Sequence, residues 1–236
     1  MKTAQTLPET QSVDLRWGTK ARDLLVVLPL FLWYAYVAVG ILHVVTREVG
    51  NLSMAHPDWA LVLSILSQSA VMLFTGTALS LLLLRLPPKN GAKGILPRAA
   101  AILGTFLSIA MALLLAPASV PPAALAVSTV LIFGGTIFAI YAILHLGKSF
   151  SLMAEARRLV TTGPYARIRH PLYVAEEIAI FGVAIQYFSA AAVAILICQI
   201  ACQFYRMGRE EDVLSDTFPE YSAYKAHTAR LIPGVY

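Results

Sequence analysis

The side chains able to do chemistry gather late in the chain. Past His145 the sequence carries Arg157-Arg158, then Leu159-Val-Thr-Thr-Gly163-Pro164-Tyr165-Ala-Arg167-Ile-Arg169-His170-Pro171-Leu-Tyr173. Polar residues return at Arg206, Arg209, Glu210, Glu211 and Asp212. Gly163-Pro164 and His170-Pro171 are turn signals, so this stretch is punctuated and not a plain linker. A connection of about 25 residues between apolar segments is long for a compact helical protein, and such loops are often functional. Glu176 and Glu177 fall one turn into an apolar segment, where an ionisable group costs on the order of 2–3 kcal/mol and marks function by default. The blander alternatives are plain. Both acids could snorkel or pair with arginine, His170 could cap the next helix, and Arg169 could anchor in the headgroup layer. Arg206 and Glu210 could form an i,i+4 pair worth a few tenths of a kcal/mol. His145 reads as a helix-end residue. The scattered His43, His56 and His227 share no metal-ligand spacing with a Cys or Asp, so no metal is expected. No Gly-x-Gly-x-x-Gly occurs, which removes the main signature of a Rossmann dinucleotide or soluble methyltransferase site.

Leu159 through Tyr173, Arg206 through Glu211, and Glu220-Tyr221-Ser-Ala-Tyr224 before Arg230-Leu-Ile-Pro233-Gly234 together resemble the isoprenylcysteine carboxyl methyltransferase family, itself related to the membrane phospholipid N-methyltransferases. The likeness spans roughly residues 140–236, and its strength lies in Gly-Pro-Tyr, Arg-His-Pro-x-Tyr and Arg-x-x-x-Glu-Glu occurring in order. It implies an S-adenosyl-L-methionine (SAM) site at the cytoplasmic membrane face and a lipophilic or lipidated acceptor entering from the bilayer. Carried over, Tyr165, Arg169, His170, Pro171 and Tyr173 form one wall and Glu210 and Glu211 the other. Arg169, Arg206 and Glu211 take the catalytic roles, and Glu176, Glu177 and Arg206 meet the substrate. Such a set suits a sulfonium cofactor: carboxylates and aromatic faces attract its cation, and Arg or protonated His suits its carboxylate. The expected acceptor is a carboxylate held between Arg169 and Arg206, because both arginines lie within the matched motifs; the alternative is an amine, which Glu176 and Glu177 would suit. The acids depart from the commoner small or apolar residues after the Tyr, which bears on the acceptor more than on the cofactor. A second resemblance, to NADPH-dependent membrane reductases of the sterol reductase type, rests on His-Pro-x-Tyr followed by Glu176. Arg206–Glu211 favours the methyltransferase.

The elements that must position these groups are membrane helices. Of 236 residues 58% are hydrophobic and 13% charged, against about 25% charged in an ordinary globular domain. The composition excludes an ordinary cytosolic enzyme, a disordered chain and a disulfide scaffold. The net charge of +5 suits headgroup contact and orientation better than nucleic-acid binding. An all-α polytopic fold is expected, with six apolar segments at 24–46, 59–84, 99–116, 123–146, 172–188 and 190–205. The last two read as a tight hairpin, and the third and fourth as a second one around Pro117, Pro121 and Pro122. This divides the chain into a polar stretch 1–22 with nothing that looks processed, two N-terminal spans in 23–98, and a methyltransferase core 99–236 with loop 147–171 and tail 206–236. With the N-terminus inside, every one of the 18 Lys and Arg except Arg47 falls on the inner side, so both termini and the site are expected in the cytoplasm. Ala100, Gly104, Ser108 and Ala112 recur every four residues, a spacing that lets helix backbones approach. Cys198 and Cys202 read as small packing residues, and Tyr221, Tyr224 and Pro233 as packing the tail under the loop.

Overall fold

The computed structural model of the protein describes residues 9–52 and 58–236. Lys2 and His56 lie outside the described residues, as do the side chains of Arg16, Lys20 and Arg22. All six expected segments are helical: α1 (Glu9–Gly50), α2 (Trp59–Leu84), α3 (Ile95–Leu114), α4 (Pro122–Leu146), α5 (Pro171–Gln186) and α6 (Ala190–Thr217), followed by a short α7 (Tyr221–His227). Asp58 caps α2 by accepting from the Ala60 amide at 2.9 Å, and Ser189 caps α6 by accepting from the Ala192 amide at 3.1 Å. The chain is an all-α integral membrane protein.

Of the six expected spans, four helices among the described residues, α2, α3, α4 and α6, are long and apolar enough to cross a bilayer. The 16 residues of α5 reach about 24 Å at 1.5 Å per residue, short of a ~30 Å hydrocarbon core. The first helix begins at Glu9, inside the polar stretch. The hairpins, finally, do not pair as chain order suggests. Helix α5 packs along α4 and α6 along α3, while α5 and α6 touch sparsely.

Small residues decide that pairing. A Cβ on Gly135 of α4 would lie 2.6 Å from the Ala179 backbone nitrogen of α5, and one on Gly182 would lie 2.7 Å from the Ser128 carbonyl oxygen. The Ser128 hydroxyl donates to the Gly182 carbonyl at 2.8 Å, closing the same seam. Gly104, from the four-residue repeat, faces Arg206 and Cys202 of α6 at 3.5 Å, so that stripe does serve a helix contact. Cys202 is half-buried there and Cys198 is exposed.

At one end of the bundle the loops are knitted together. Strands β1 (Asn90–Gly91) and β2 (Glu155–Ala156) pair antiparallel, with Asn90 opposite Ala156. The Leu86 amide donates to the Lys148 carbonyl at 2.8 Å. Ala156, Val213, Phe218 and Tyr221 form a buried cluster beneath, joining loop, α6 and α7. Helix α6 spans about 42 Å over its 28 residues, so its last turns project beyond a ~30 Å core and reach these loops.

Candidate functional site

Pro171 takes the first position of α5, where its missing N–H costs nothing. The same proline holds His170 in an extended-side conformation (φ −125°), and its ring makes no capping bond. The imidazole turns to α6 instead. Its Nε2 lies 3.1 Å from Glu211 Oε1 and its Nδ1 4.0 Å from Glu210 Oε2. Upstream, Gly163 has φ +61°, and a Cβ there would lie 2.1 Å from the His145 ring, so only glycine fits the turn. His145 is the helix-end residue expected, with Nδ1 2.8 Å from the Tyr141 carbonyl.

These turns bend the loop over the end of α6 and leave a cleft of about 110 Å³. Tyr165, Arg169, His170, Tyr173, Glu176, Arg206 and Glu210 border it, so most of the expected site residues converge. The Tyr173 hydroxyl donates to Glu210. The Arg206 guanidinium stands over the Tyr173 ring at 5.1 Å and donates to Gln203 Oε1 at 3.0 Å and the Leu152 carbonyl at 2.9 Å. Gln203 in turn donates to Glu176 Oε2 at 2.9 Å. Arg206 is thus a buried cation held by an aromatic face and two acceptors, with its Nε buried and unpaired, a state that suits Arg better than Lys.

Adjacent acids on α6 part company, because successive helical residues point about 100° apart. Glu210 faces the cleft, whereas Glu211 and Pro171 are not among the residues bordering it. Glu211 is buried against the tail. Its Oε1 meets Arg169 Nε and Arg230 Nε, each at 3.1 Å, as well as His170, and its Oε2 meets Lys225 Nζ at 3.2 Å. Arg169 extends the same latch by donating to the Thr228 carbonyl at 2.5 Å and the Lys225 carbonyl at 3.0 Å. The Arg169 and His170 amides donate to the Ala229 and Arg230 carbonyls at 2.8 and 3.2 Å. The tail therefore lies against the loop as expected, with Tyr221 buried and the Tyr224 hydroxyl donating to the Tyr165 carbonyl at 2.6 Å. Pro233, by contrast, is exposed.

Three residues bordering the cleft, Ser149, Tyr165 and Tyr221, have hydroxyls that are buried without a hydrogen-bond partner. A buried hydroxyl left unpaired costs roughly 1–3 kcal/mol, and such groups ask for a ligand or a role. Burial and the acids Glu210 and Glu176 push the Tyr165 phenol well above its usual range. Burial pushes Tyr224 up to about 12. Both are neutral hydrogen-bonding groups at physiological pH, not bases.

Ser149, Gln203, Tyr221 as a cleft residue and the Leu152 carbonyl escape a reading of the sequence. Only Gln203 left a signal, since Gln199 and Gln203 stand one turn apart within an apolar segment. Glu177 lies away from the cleft, on the groove between α5 and α6.

Residues 123–221 match the family model for phospholipid methyltransferase. A nickel-cobalt-cadmium resistance protein, NccN, of Alcaligenes xylosoxydans xylosoxydans is 39% identical over 80 residues, covering 34% of this chain and 38% of the relative. The cobalt-zinc-cadmium resistance protein CzcN of Cupriavidus metallidurans is 38% identical over 76 residues, covering 32% and 35%. The chain thus spans little more than a third of the length of these curated relatives. The segment that builds the helix α4–α5 seam, the loop and the acid-bearing end of α6 carries the pattern of the phospholipid methyltransferase family.

Proposed function

We propose that the protein is a SAM-dependent membrane methyltransferase acting on a lipophilic acceptor, with cleft and both termini in the cytoplasm. The observation that carries the proposal is the chemistry of the cleft wall: a carboxylate at Glu210, imidazole and phenol beside it, and the buried unpaired hydroxyls of Ser149, Tyr165 and Tyr221. That set fits a ligand with a cationic centre, an ammonium, a ribose diol and a carboxylate. Glu210 and Tyr173 would hold the cationic side, and the hydroxyls would take the diol and carboxylate. The cofactor, when bound, supplies an electrophilic methyl group on sulfur. The protein contributes position and exclusion of water, which an in-line displacement needs more than proton transfer. Arg206 stacked on Tyr173 fixes one wall, and the Glu211 latch fixes the other by holding the tail across the loop.

The cytoplasmic placement is supported by the charge asymmetry together with the gathering of loops 85–94 and 147–170 and the tail at one end of the bundle. For the acceptor, the carboxylate reading rests on Arg169 and Arg206. Both hold protein partners: Arg169 the tail and Glu211, Arg206 the Gln203 and Leu152 oxygens. This favours an amine over the carboxylate expected from the motif arginines. Among the described residues no three His, Cys, Asp or Glu side chains gather as metal ligands would.

Labelled SAM incubated with the purified protein and membrane lipid extract tests the proposal. Label should appear in the organic phase, and with the acceptor saturating the rate should climb close to tenfold per pH unit from about pH 6 to 8, because an ammonium must lose a proton before it attacks. A flat profile would restore the carboxylate, ionised throughout that range. Absence of label transfer would overturn the proposal.

A further inference from the structure

Residues 231–236 fold into a tight apolar turn beside the membrane helices. The Leu231 and Ile232 amides donate to the Tyr236 backbone oxygen, each at 2.9 Å, and the Val235 and Tyr236 amides donate to the Ile232 carbonyl at 3.1 and 3.0 Å. Pro233 has no N–H to satisfy. Yet Ile232 is 55% exposed, Val235 79% and Tyr236 53%, so three large apolar side chains stand largely uncovered by protein. Their surroundings point to what covers them. The Tyr236 ring lies 6.4 Å from that of Phe204, an exposed residue in the apolar run 190–205 of α6. Leu231 and Ile232 border the apolar groove between α5 and α6, beside Phe204 and the exposed Phe181. The turn thus continues the lipid-facing surface at the level where α6 passes from apolar to charged residues, at Arg206. Its polar side is taken by the protein. Arg230 donates from Nη1 to the Tyr236 hydroxyl at 2.6 Å, and its Nε lies 3.1 Å from Glu211 Oε1.

We propose that the 231–236 turn is an interfacial anchor, independent of what the cleft binds. Ile232, Val235 and Tyr236 insert into the headgroup–acyl boundary of the leaflet at the cleft end of the bundle, and the bilayer thereby holds the tail across the loop. Continuity with Phe181 and Phe204 selects lipid as the occupant over a soluble partner. The chemistry suits that depth. A tyrosine at the interface keeps its ring in apolar and its hydroxyl in polar surroundings, and a turn whose amides bond internally loses few hydrogen bonds on leaving water. The consequence reaches the cleft. Arg230 joins the anchor to Glu211, and the Arg169 and His170 amides donate to the Ala229 and Arg230 carbonyls just before it. Drawing the turn out of the membrane would loosen the stretch of tail that lies against His170.

Insertion is tested with a nitroxide on Val235→Cys, in the full chain carrying Cys198→Ala and Cys202→Ala and held in phosphatidylcholine nanodiscs. Its collisions with oxygen, which concentrates in lipid, are compared with those with a nickel chelate, which stays in water. Relative to the same label on Ser222→Cys, on the exposed side of α7, the label at 235 should favour oxygen by about fivefold or more. Free collision with the chelate at 235 would place the turn in water. Shielding from both reagents would place it under protein, whether a second copy or a partner. Either result overturns the proposal. Ile232→Asn with Val235→Asn tests the coupling without adding charge. Hydrogen exchange at the Arg169 and His170 amides should quicken by about tenfold or more, while Ile232→Leu with Val235→Leu keeps the wild-type rate. Unchanged exchange in the asparagine variant, or equal acceleration in the leucine variant, would show that lipid does not hold the tail.

Discussion

His170 Nε2 stands 3.1 Å from Glu211 Oε1, joining the start of α5 to the projecting end of α6 across 41 positions of sequence. Around that contact Arg169, Arg230 and Lys225 converge on the same carboxylate, so one acid holds loop, helix and tail together. Glu210, its neighbour in sequence, is left to face the cleft. The two acids of one motif thus take different places, Glu211 in the contacts that tie loop to tail and Glu210 on the cleft wall.

Glu211→Gln should therefore act on stability first. Removing one partner of a buried ion pair costs about 3 kcal/mol, with the half-exposed Lys225 adding little. Thermal unfolding in detergent should shift down, and proteolysis within residues 225–236 should quicken. A variant that unfolds like the wild type and keeps a protected tail would refute the latch.

Glu210→Gln and Tyr165→Phe should spare the fold and weaken the cofactor. For Glu210→Gln the loss of SAM affinity should be ~1–3 kcal/mol, the range for a charge-assisted hydrogen bond. Tyr165→Phe removes a buried hydroxyl that has no partner without ligand, so it should leave the ligand-free protein as stable or slightly more so and cost roughly 1 kcal/mol of SAM binding. Calorimetry giving wild-type affinity in both variants would remove the cleft wall from the account.

Gly135→Ala tests the helix pairing that sets the site. The added methyl would sit 2.6 Å from backbone on α5, which cannot yield as a side chain does, and overpacking of this kind costs roughly 1–3 kcal/mol. Gly134→Ala, with open space around its Cβ, is the matched control and should be silent. Equal stability of the two variants would contradict the α4–α5 seam.

Raising the pH should loosen the tail through the Tyr224 phenol. Burial lifts Tyr224 from 10.0 to about 12, so above pH 10 the folded protein holds a proton that the unfolded chain releases. Stability is then lost as pH rises from about 10 toward 12, and is indifferent to this group below that window. Tyr224→Phe should flatten that part of the profile by circular dichroism; an unchanged slope would place the titration elsewhere.

Much of this was legible in the residues. The apolar runs located the six long helices, though not α7, and the motifs at 159–173 and 206–211 fall at the cleft, because hydropathy and turn chemistry are local properties. What stayed hidden depends on contacts between distant segments. Chain order pairs α5 with α6, but Gly135 and Gly182 admit a closer neighbour in α4. Glu210 and Glu211 differ only in the direction each takes from the helix axis. Ser149 and Tyr221 become cleft residues only once the loop and tail close over α6, and nothing in their own neighbourhoods announces it. The extension of α6 to Thr217 was equally obscure, since its polar last turns end the apolar run while still favouring helix.

The central claim, that the cleft is built for a methyl donor, is tested most directly by equilibrium binding of SAM and of NADPH to the purified full-length chain in nanodiscs. The account predicts saturable SAM binding at one site per chain, weakened by Glu210→Gln, with no NADPH binding. Saturable NADPH binding with none for SAM would contradict it and assign the His-Pro-x-Tyr segment and Glu176 to a reductase.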